Sequence, residues 1–310
     1  MSSEVVLVTG GIGFIGMHVI QELHGRGIKD VSIVDNLFKG KKEFMQEFKT
    51  AVDFFPLDIN SPNLDDLFKA KRFSMVIHLA AIHSIPYCIS NPVGVCDVNI
   101  KGTQSIIERC KKFNVARIFH ASSGAVYKPS NHRHTEDDIA EPIEIYGVSK
   151  LANEYQVKLL SNATGARCVV GRIFNVVGGF ETNEHLIPDL LNRMKHSCCI
   201  EVGALDPVRD YVHVKDVARA IVDSTLNSEN RFDVLNIGSG EGYSVRQVID
   251  ILSQIVSKEV RFETTETLVR KIERPHLLAD IRKIHSIFGW EPQYHLTDAL
   301  KDAANYFEVI

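Results

Sequence analysis

The run Thr9-Gly10-Gly11-Ile12-Gly13-Phe14-Ile15-Gly16 constrains the fold of this chain more than any other stretch. It follows the short β-branched segment Val5–Thr9 and leads into a helix-like segment, 16–25. Glycines at 10, 13 and 16 give the spacing Gly-x-x-Gly-x-x-Gly. Backbone without side chains can approach a pyrophosphate closely, and a helix N-terminus supplies amide donors. A strand before and a helix after are what give such a spacing meaning. Asp35 ends the second expected strand, 19 residues after Gly16. A carboxylate there accepts hydrogen bonds from the adenosine ribose hydroxyls and favours NAD over NADP. Lys39, Lys41 and Lys42 could attract a 2′-phosphate, but they lie further along an expected surface loop, so Asp35 carries more weight.

Beyond this run the first half alternates strand-like and helix-like segments. Strands are expected at 31–35, 52–56, 75–79, 116–121 and Arg167–Ile173, and helices at 62–70, 93–113 and 146–162. In the segment 93–113 the apolar residues Val95, Val98, Ile106, Cys110 and Phe113 recur at helical spacing. A polar loop is expected from 129 to 142. The order predicts an α/β fold: a doubly wound parallel sheet of the dinucleotide-binding kind with helices on both faces. After Asn175 the regularity breaks. Pro188, Pro207 and the glycines from 238 to 242 punctuate shorter elements, and amphipathic helices are expected at 245–256 and 297–307. Residues 1–175 are therefore read as a dinucleotide-binding unit, with a segment near 212–238 returning to it. Residues 176–310 are read mainly as a smaller mixed α/β substrate unit.

Composition narrows the function. The 310 residues are 45% hydrophobic, enough to bury a sizeable core, and the net charge of -4 gives no footprint for nucleic acid. Apolar runs are strand-sized, so no membrane span is expected. The start, Met1-Ser2-Ser3-Glu4, lacks the pattern of a signal peptide. Six cysteines without Cys-x-x-Cys spacing suggest reduced thiols in a cytoplasmic chain, with Cys198–Cys199 read as a strand edge rather than a redox pair.

Chemistry is concentrated in Tyr146-Gly147-Val148-Ser149-Lys150. Four residues apart on a helix, the Tyr146 phenol and the Lys150 ammonium share a face. A neighbouring positive charge favours the phenolate, so the pair is expected to lower the Tyr146 pKa and make it a general acid/base. A solvated helix face would show the same spacing.

With these residues in place the chain resembles the extended short-chain dehydrogenase/reductase family, in its nucleotide-sugar epimerase/dehydratase branch. The resemblance runs nearly end to end. It rests on Thr9–Gly16, Asp35-Asn36, Asp58-Ile59, His78-Leu79-Ala80-Ala81, Asn99-x-x-Gly102-Thr103, Ser122-Ser123-x-x-Val126-Tyr127, Tyr146-x-x-x-Lys150 and Arg172-x-Phe174-Asn175. It continues through Arg209-Asp210-Tyr211-Val212-His213, Asn236-Ile237-Gly238-Ser239-Gly240 and Gly289-Trp290-x-Pro292. It implies that NAD is held by Gly10, Gly13, Phe14, Ile15, Gly16, Asp35, Asn36, Asp58, Ile59, Leu79, Ala80, Ala81 and Asn99, together with Tyr146 and Lys150. Asp58 and Ile59 would contact adenine, and Asn99 could equally bond backbone alone. It further implies that Ser123, Tyr146 and Lys150 are catalytic. Ser123 would bond the reacting sugar hydroxyl, Tyr146 would transfer its proton, and Lys150 would hold the nicotinamide ribose. Asn175 and Arg209 would bind the sugar diphosphate, Arg274 looks similar, and His83 borders the sugar. The segments 93–113 and 146–162 match helices that pair in family homodimers.

Departures from the family refine this reading. Dehydratases and decarboxylases of the family carry an acidic residue just after the catalytic Ser/Thr; here Gly124 stands there. No Cys and His pair of the reducto-epimerase kind is evident beside Ala125. Ser123, Tyr146, Lys150 and NAD remain, which implies an NAD-dependent nucleotide-sugar 4-epimerase working through a transient 4-keto sugar. An alternative is a 4-keto-sugar reductase or sugar dehydrogenase with net redox. The stretch Gly203-x-Leu205-Asp206-x-x-Arg209-Asp210 resembles that of GDP-sugar enzymes and supports it. A more distant alternative is a non-catalytic NAD-binding regulatory protein. No metal site is expected: His120, His132 and His134 lack a ligand spacing and read as part of a solvated loop or its neighbourhood.

Overall fold

Short apolar runs bounded by glycine and polar loops become the inner strands of a large parallel sheet. The computed structural model describes residues 4–48, 50–183, 185–197, 199–258, 260–265 and 274–310. The strands of the first half are β1 (Val5–Thr9), β2 (Asp30–Val34), β3 (Asp53–Phe55), β4 (Met75–His78), β5 (Arg117–Ser123) and β6 (Arg167–Ile173). Those of the second half are β7 (Asn175–Val177), β8 (Cys199–Val202), β9 (Val208–His213), β10 (Phe232–Ile237), β11 (Gly242–Ser244), β12 (Arg261–Thr264) and β13 (His276–Leu277). Seven of these pair in the order β3-β2-β1-β4-β5-β6-β10, all parallel. The expected doubly wound fold is observed.

Alternation along the strands builds two cores. Val6 and Val8 face one side, with Ile33, Ile77 and Phe119, under the helices Phe14–Gly25 and Val214–Asn227. Leu7 faces the other, with Val34, Val76, Ile118 and Val170, under Leu67, Phe68, Ile106 and Leu160. Burial of both faces is why these strands read as continuous apolar runs. Strand order reverses between β1 and β4, where Thr9 pairs with His78. The chain leaves the two strands in opposite directions there and opens a crevice at their carboxyl ends.

β10, from within the segment 212–238, lies in the large sheet beside β6. β7, β9, β11 and β13 form a four-stranded sheet, and β8 pairs with β12. These small sheets share a third core with the helices Leu186–His196, Val245–Ile255 and Leu296–Tyr306.

One expected helix differs. The segment 93–113 is interrupted: Pro92–Val95 is α-helical, Cys96–Gly102 is a π-helix, and Thr103–Lys112 is α-helical again. Wider π turns weaken the backbone ladder, and side chains of the neighbouring helix Ile145–Thr164 compensate. Asn153 donates to the Asn99 carbonyl at 2.8 Å and Gln156 to the Ile100 carbonyl at 3.2 Å. Other ends move by a residue or two, as helix termini do. Cys198 lies outside the described residues, and the other five cysteines are free. Among the described residues no helix is long and apolar enough to cross a membrane.

Candidate active site

At the first edge of the crevice the glycines clear space. Gly10 takes φ +70°, and a Cβ there would stand 2.9 Å from the Ala80 nitrogen. A Cβ on Gly16 would stand 2.3 Å from the Gly10 oxygen, so this glycine lets the helix press against the turn. Gly13 instead faces open space apart from the Gly10 oxygen at 3.3 Å. It occupies the helix N-cap without a side-chain cap, and the first turn of Phe14–Gly25 holds no acidic residue. The amides of Phe14, Ile15 and Gly16 therefore begin a helix whose first donors need an outside acceptor. That arrangement fits a pyrophosphate.

Asp35 is 8% exposed, and burial raises its pKa, with the amide bonds of Leu37 (2.9 Å) and Ile12 working against the rise. A buried carboxylate at the lip of a crevice fits a ligand that brings hydroxyl donors. Asn36 donates to Asp58 at 2.9 Å, which fixes the two beside each other, and Lys41 lies over the Phe44 ring at 5.8 Å. Leu79 extends the pairing through its amide to Thr9 O (3.1 Å), and Ala80 N–H reaches Thr9 Oγ1 (3.3 Å), which carries Ala80 and Ala81 past the glycine turn. Ile59 packs against Gly102, where a Cβ would stand 2.4 Å from Ile59 Cδ1. Asn99 is 1% exposed and clamps the Ile82 backbone: it accepts from Ile82 N (2.8 Å) and donates to Ile82 O (2.9 Å) and Ser149 Oγ (3.0 Å). Both of its amide protons are engaged within the protein.

At the second edge, the carboxyl end of β5 meets the helix Ile145–Thr164. The Ser123 hydroxyl faces the Tyr146 phenol closely enough to act on its ionisation. Ser123 also accepts from Ala125 N–H at 3.1 Å, which starts the turn Gly124–Val126. Lys150 is 3% exposed, and its ammonium donates to Ala121 O at 2.8 Å. The effect on Tyr146 differs from the expectation. Burial pushes the phenol up, the nearby Ser123 hydroxyl partly offsets this, and Glu144 and Cys88 add to the rise. The Lys150 ammonium lies 5.9 Å from the Tyr146 ring centre, too remote to outweigh burial. Burial also lowers Lys150 itself to about 8. Tyr146 as a whole is half-buried, while protein surrounds its hydroxyl.

Several residues that motif spacing does not single out build this edge. A Cβ on Gly147 would stand 2.4 Å from Ala125 O, so only a glycine lets the helix approach the Ser123 turn. Glu144 caps the helix, accepting from Tyr146 N (2.8 Å) and Gly147 N (3.2 Å). Glu154, one turn beyond Lys150, accepts from Ser122 Oγ (2.5 Å) and from Arg172 Nε (3.0 Å) and Nη2 (2.8 Å). Arg172 continues to Tyr127 Oη at 2.9 Å, and Tyr127 to Asn236 at 2.7 Å. This buried chain ties β5, β6, β10 and the helix together. Gly124 packs against the Phe174 ring, where a Cβ would stand 3.3 Å from its carbons.

Residues assigned to substrate converge from distant parts of the chain. Arg209 donates to Arg274 O at 2.7 Å, and Arg274 Nη2 donates to Ala125 O at 3.0 Å. Asp210, next to Arg209, is fully buried and accepts from Ser239, Gly240 and Ala279. Asn175 is exposed at the start of β7, paired in register with Tyr211. His83 stacks edge-on with His185 at 5.4 Å. Burial lowers His83 to about 4, helped by His185 and opposed by Glu181. Glu181, 6% exposed, bonds His185 at 3.2 Å and Asn183 at 2.9 Å. Burial works to raise it, but these partners hold it below the usual carboxylate range. Neither Glu181 nor His185 belongs to a recognisable spacing with His83, about a hundred residues earlier in sequence.

His120 is buried inside β5, within the expected strand, opposite His78. The loop that follows differs from expectation. His134 is 1% exposed and stacks on Tyr127 at 4.4 Å, so its part of the loop is packed rather than solvated.

A protein of Methanocaldococcus jannaschii assigned as a UDP-glucose 4-epimerase is 32% identical over 310 residues, covering 98% of each chain. The crystal structure of UDP-glucose 4-epimerase from Thermotoga maritima with UDP-glucose has a TM-score of 0.88 at 30% identity, over 98% of each chain. That of the Thermus thermophilus UDP-glucose 4-epimerase in complex with NAD has a TM-score of 0.87 at 27% identity, over 98% of each chain. The family model described as NAD dependent epimerase/dehydratase matches residues 6–238. The chain belongs to the NAD-dependent epimerase/dehydratase family.

Proposed function

We propose that this chain is an NAD-dependent nucleotide-sugar 4-epimerase whose substrate class is UDP-hexoses. One observation carries the reading: the Ser123 hydroxyl and the Tyr146 phenol stand beside each other and beside buried Lys150, and the adjoining position is Gly124 packed on Phe174. A sugar hydroxyl entering between the two side chains would be held by Ser123 and would lose its proton to the phenolate form of Tyr146. Burial keeps the phenol protonated in the cofactor-free chain, so that form depends on the Lys150 ammonium and on the positive charge that NAD would bring to the crevice. The buried Lys150 ammonium stabilises negative charge that develops on the phenol. With no carboxylate at 124, the chain has no second acid/base there for elimination. NAD, when bound, accepts and returns the hydride at the sugar carbon. Gly10, Gly13, Phe14, Ile15, Gly16 and Asp35 hold its phosphates and adenosine ribose, and Asn36, Asp58 and Ile59 border the adenine. Arg209, Arg274 and Asn175 take the substrate diphosphate, with His83 neutral at the sugar. Residues 176–310 supply most of this substrate side.

The same reading includes a homodimer in the cytoplasm. Val148, Tyr155 and Leu159 recur along one face of Ile145–Thr164 and are 44%, 62% and 67% exposed, near exposed Ile89 and Val93. An apolar stripe of this kind suits a two-fold helix pairing. Light scattering that finds only monomer at micromolar concentration would remove it.

The deciding experiment incubates the protein with UDP-glucose, UDP-galactose and their GDP, CDP and TDP counterparts. Conversion of a UDP-sugar into its 4-epimer, without net NADH, is the expected result. Stoichiometric NADH change would favour the redox reading that the stretch Gly203–Asp210 suggests, and an inert chain that binds NAD would overturn both.

A further inference from the structure

We propose that His132, His134 and Asp138, in the loop after β5, form a binding site for a divalent transition-metal cation of the zinc class. His132 Nε2 and His134 Nδ1 lie 3.0 and 3.1 Å from the same oxygen, Asp138 Oδ2. The three ligand atoms are all within 4.8 Å of one another. Around a tetrahedral zinc with bonds of about 2.0–2.1 Å, ligand atoms stand about 3.3 Å apart, close to the spacing that Asp138 Oδ2 already keeps from both nitrogens. Two imidazoles and one carboxylate suit zinc better than calcium or magnesium, which prefer all-oxygen sites.

The hydrogen bonds around the cluster orient it. Thr135 Oγ1 donates to Asp138 Oδ1 at 3.0 Å, which leaves Oδ2 for the histidines. The His134 ring is stacked on Tyr127 with only 8° between planes, so its edge is fixed. Ser130 has a single hydroxyl proton, and its bond to the His132 carbonyl at 3.0 Å uses it. Ser130 Oγ, 3.3 Å from His134 Nε2, is then an acceptor, and Nε2 carries the proton. A neutral His134 therefore turns the lone pair of Nδ1 towards a carboxylate oxygen, another lone pair. A cation between them resolves that conflict, and the Nε2–H bond to Ser130 is the outer contact that metal-bound histidines usually make. A cavity of about 300 Å³ beside the cluster, lined by Lys128, Ser130, Asp137 and Ile139, leaves room for a water as fourth ligand. The opposing charge of Lys128 is matched by Asp137 in the same lining.

The cation would fasten a segment that supports the substrate side without touching the chemistry. His134 N–H donates to Leu278 O at 2.8 Å, and Asp280 N–H to His134 O at 2.8 Å. That edge leads back through β13 to Arg274.

The test titrates chelator-treated full-length protein with Zn²⁺ against a chromophoric chelator and follows the melting temperature. One site per chain and a rise in melting temperature are expected. His132→Ala, at an exposed position, and Asp138→Asn should each weaken Zn²⁺ binding by at least about tenfold and abolish that rise. The chelated wild type and His132→Ala should keep their epimerase turnover. Absence of saturable binding at micromolar Zn²⁺, or equal binding by wild type and both variants, would overturn the site. So would nitrogen NMR showing a doubly protonated His134 ring at neutral pH that Zn²⁺ leaves unchanged.

Discussion

The two edges of the crevice are built on opposite plans. Where β1 and β4 end, the site is shaped by atoms that are missing: Gly10 clears Ala80, Gly16 clears the Gly10 carbonyl, and Gly13 opens to solvent. Where β5 ends, it is shaped by polar side chains held in place: Ser123 beside Tyr146, Lys150 held by Ala121, and Glu154 clamped by Arg172. A ligand-binding backbone needs access, so added atoms harm it. A proton-transferring site needs fixed donors and acceptors in low dielectric, so lost atoms harm it.

The largest expected effect tests the second plan. Tyr146→Phe removes one oxygen, and we expect kcat to fall about 10²- to 10⁴-fold while UDP-sugar affinity changes little. Turnover near the wild-type rate would strip Tyr146 of its role. Gly147→Ala tests whether the plans are as separate as they look, because this edge also depends on one missing atom. With a Cβ directed at Ala125 O, the helix must shift, and we expect about a 10²-fold loss in kcat with NAD binding retained. An unaffected rate would mean that the close approach is incidental.

Lys150 sharpens the contrast through pH. In the cofactor-free chain burial holds it at about 8, below its ordinary 10.5. The unfolded chain therefore binds more protons between these values, and stability rises with pH across that window. Lys150 should contribute on the order of 2–3 kcal/mol to the rise. Urea unfolding near pH 7.5 and pH 10 should show a smaller rise in Lys150→Met than in wild type; equal rises would indicate a solvated ammonium. The smallest effect belongs to the first plan. Asp35→Asn removes a carboxylate that burial already disfavours, so stability should hold while NAD affinity drops about tenfold. Calorimetric titration with NAD measures it, and an unchanged affinity would place the adenosine ribose elsewhere.

Legibility in the sequence follows the same division. The glycine turn, Asp35 and the Tyr146/Lys150 pair lie within short local windows, so spacing alone exposes them. The metal-like cluster escapes such a reading because His132, His134 and Asp138 converge only when the loop folds back along Leu278 and Asp280. Glu181, His185 and His83 meet for the same reason, from separate segments that share no periodic pattern. Gly147 stands inside the Tyr146–Lys150 motif, but its purpose depends on Ala125, more than twenty residues away.

The sequence by itself determined the parallel sheet, the glycine turn at its first strand and the placing of Tyr146 and Lys150 on one helix face. Each follows from local periodicity, from glycine's lack of a side chain, or from residues one helical turn apart. Only the tertiary structure decided the protonation of that pair. Burial is a property of everything packed around a group, and here it outweighs the single neighbouring charge that the sequence displays.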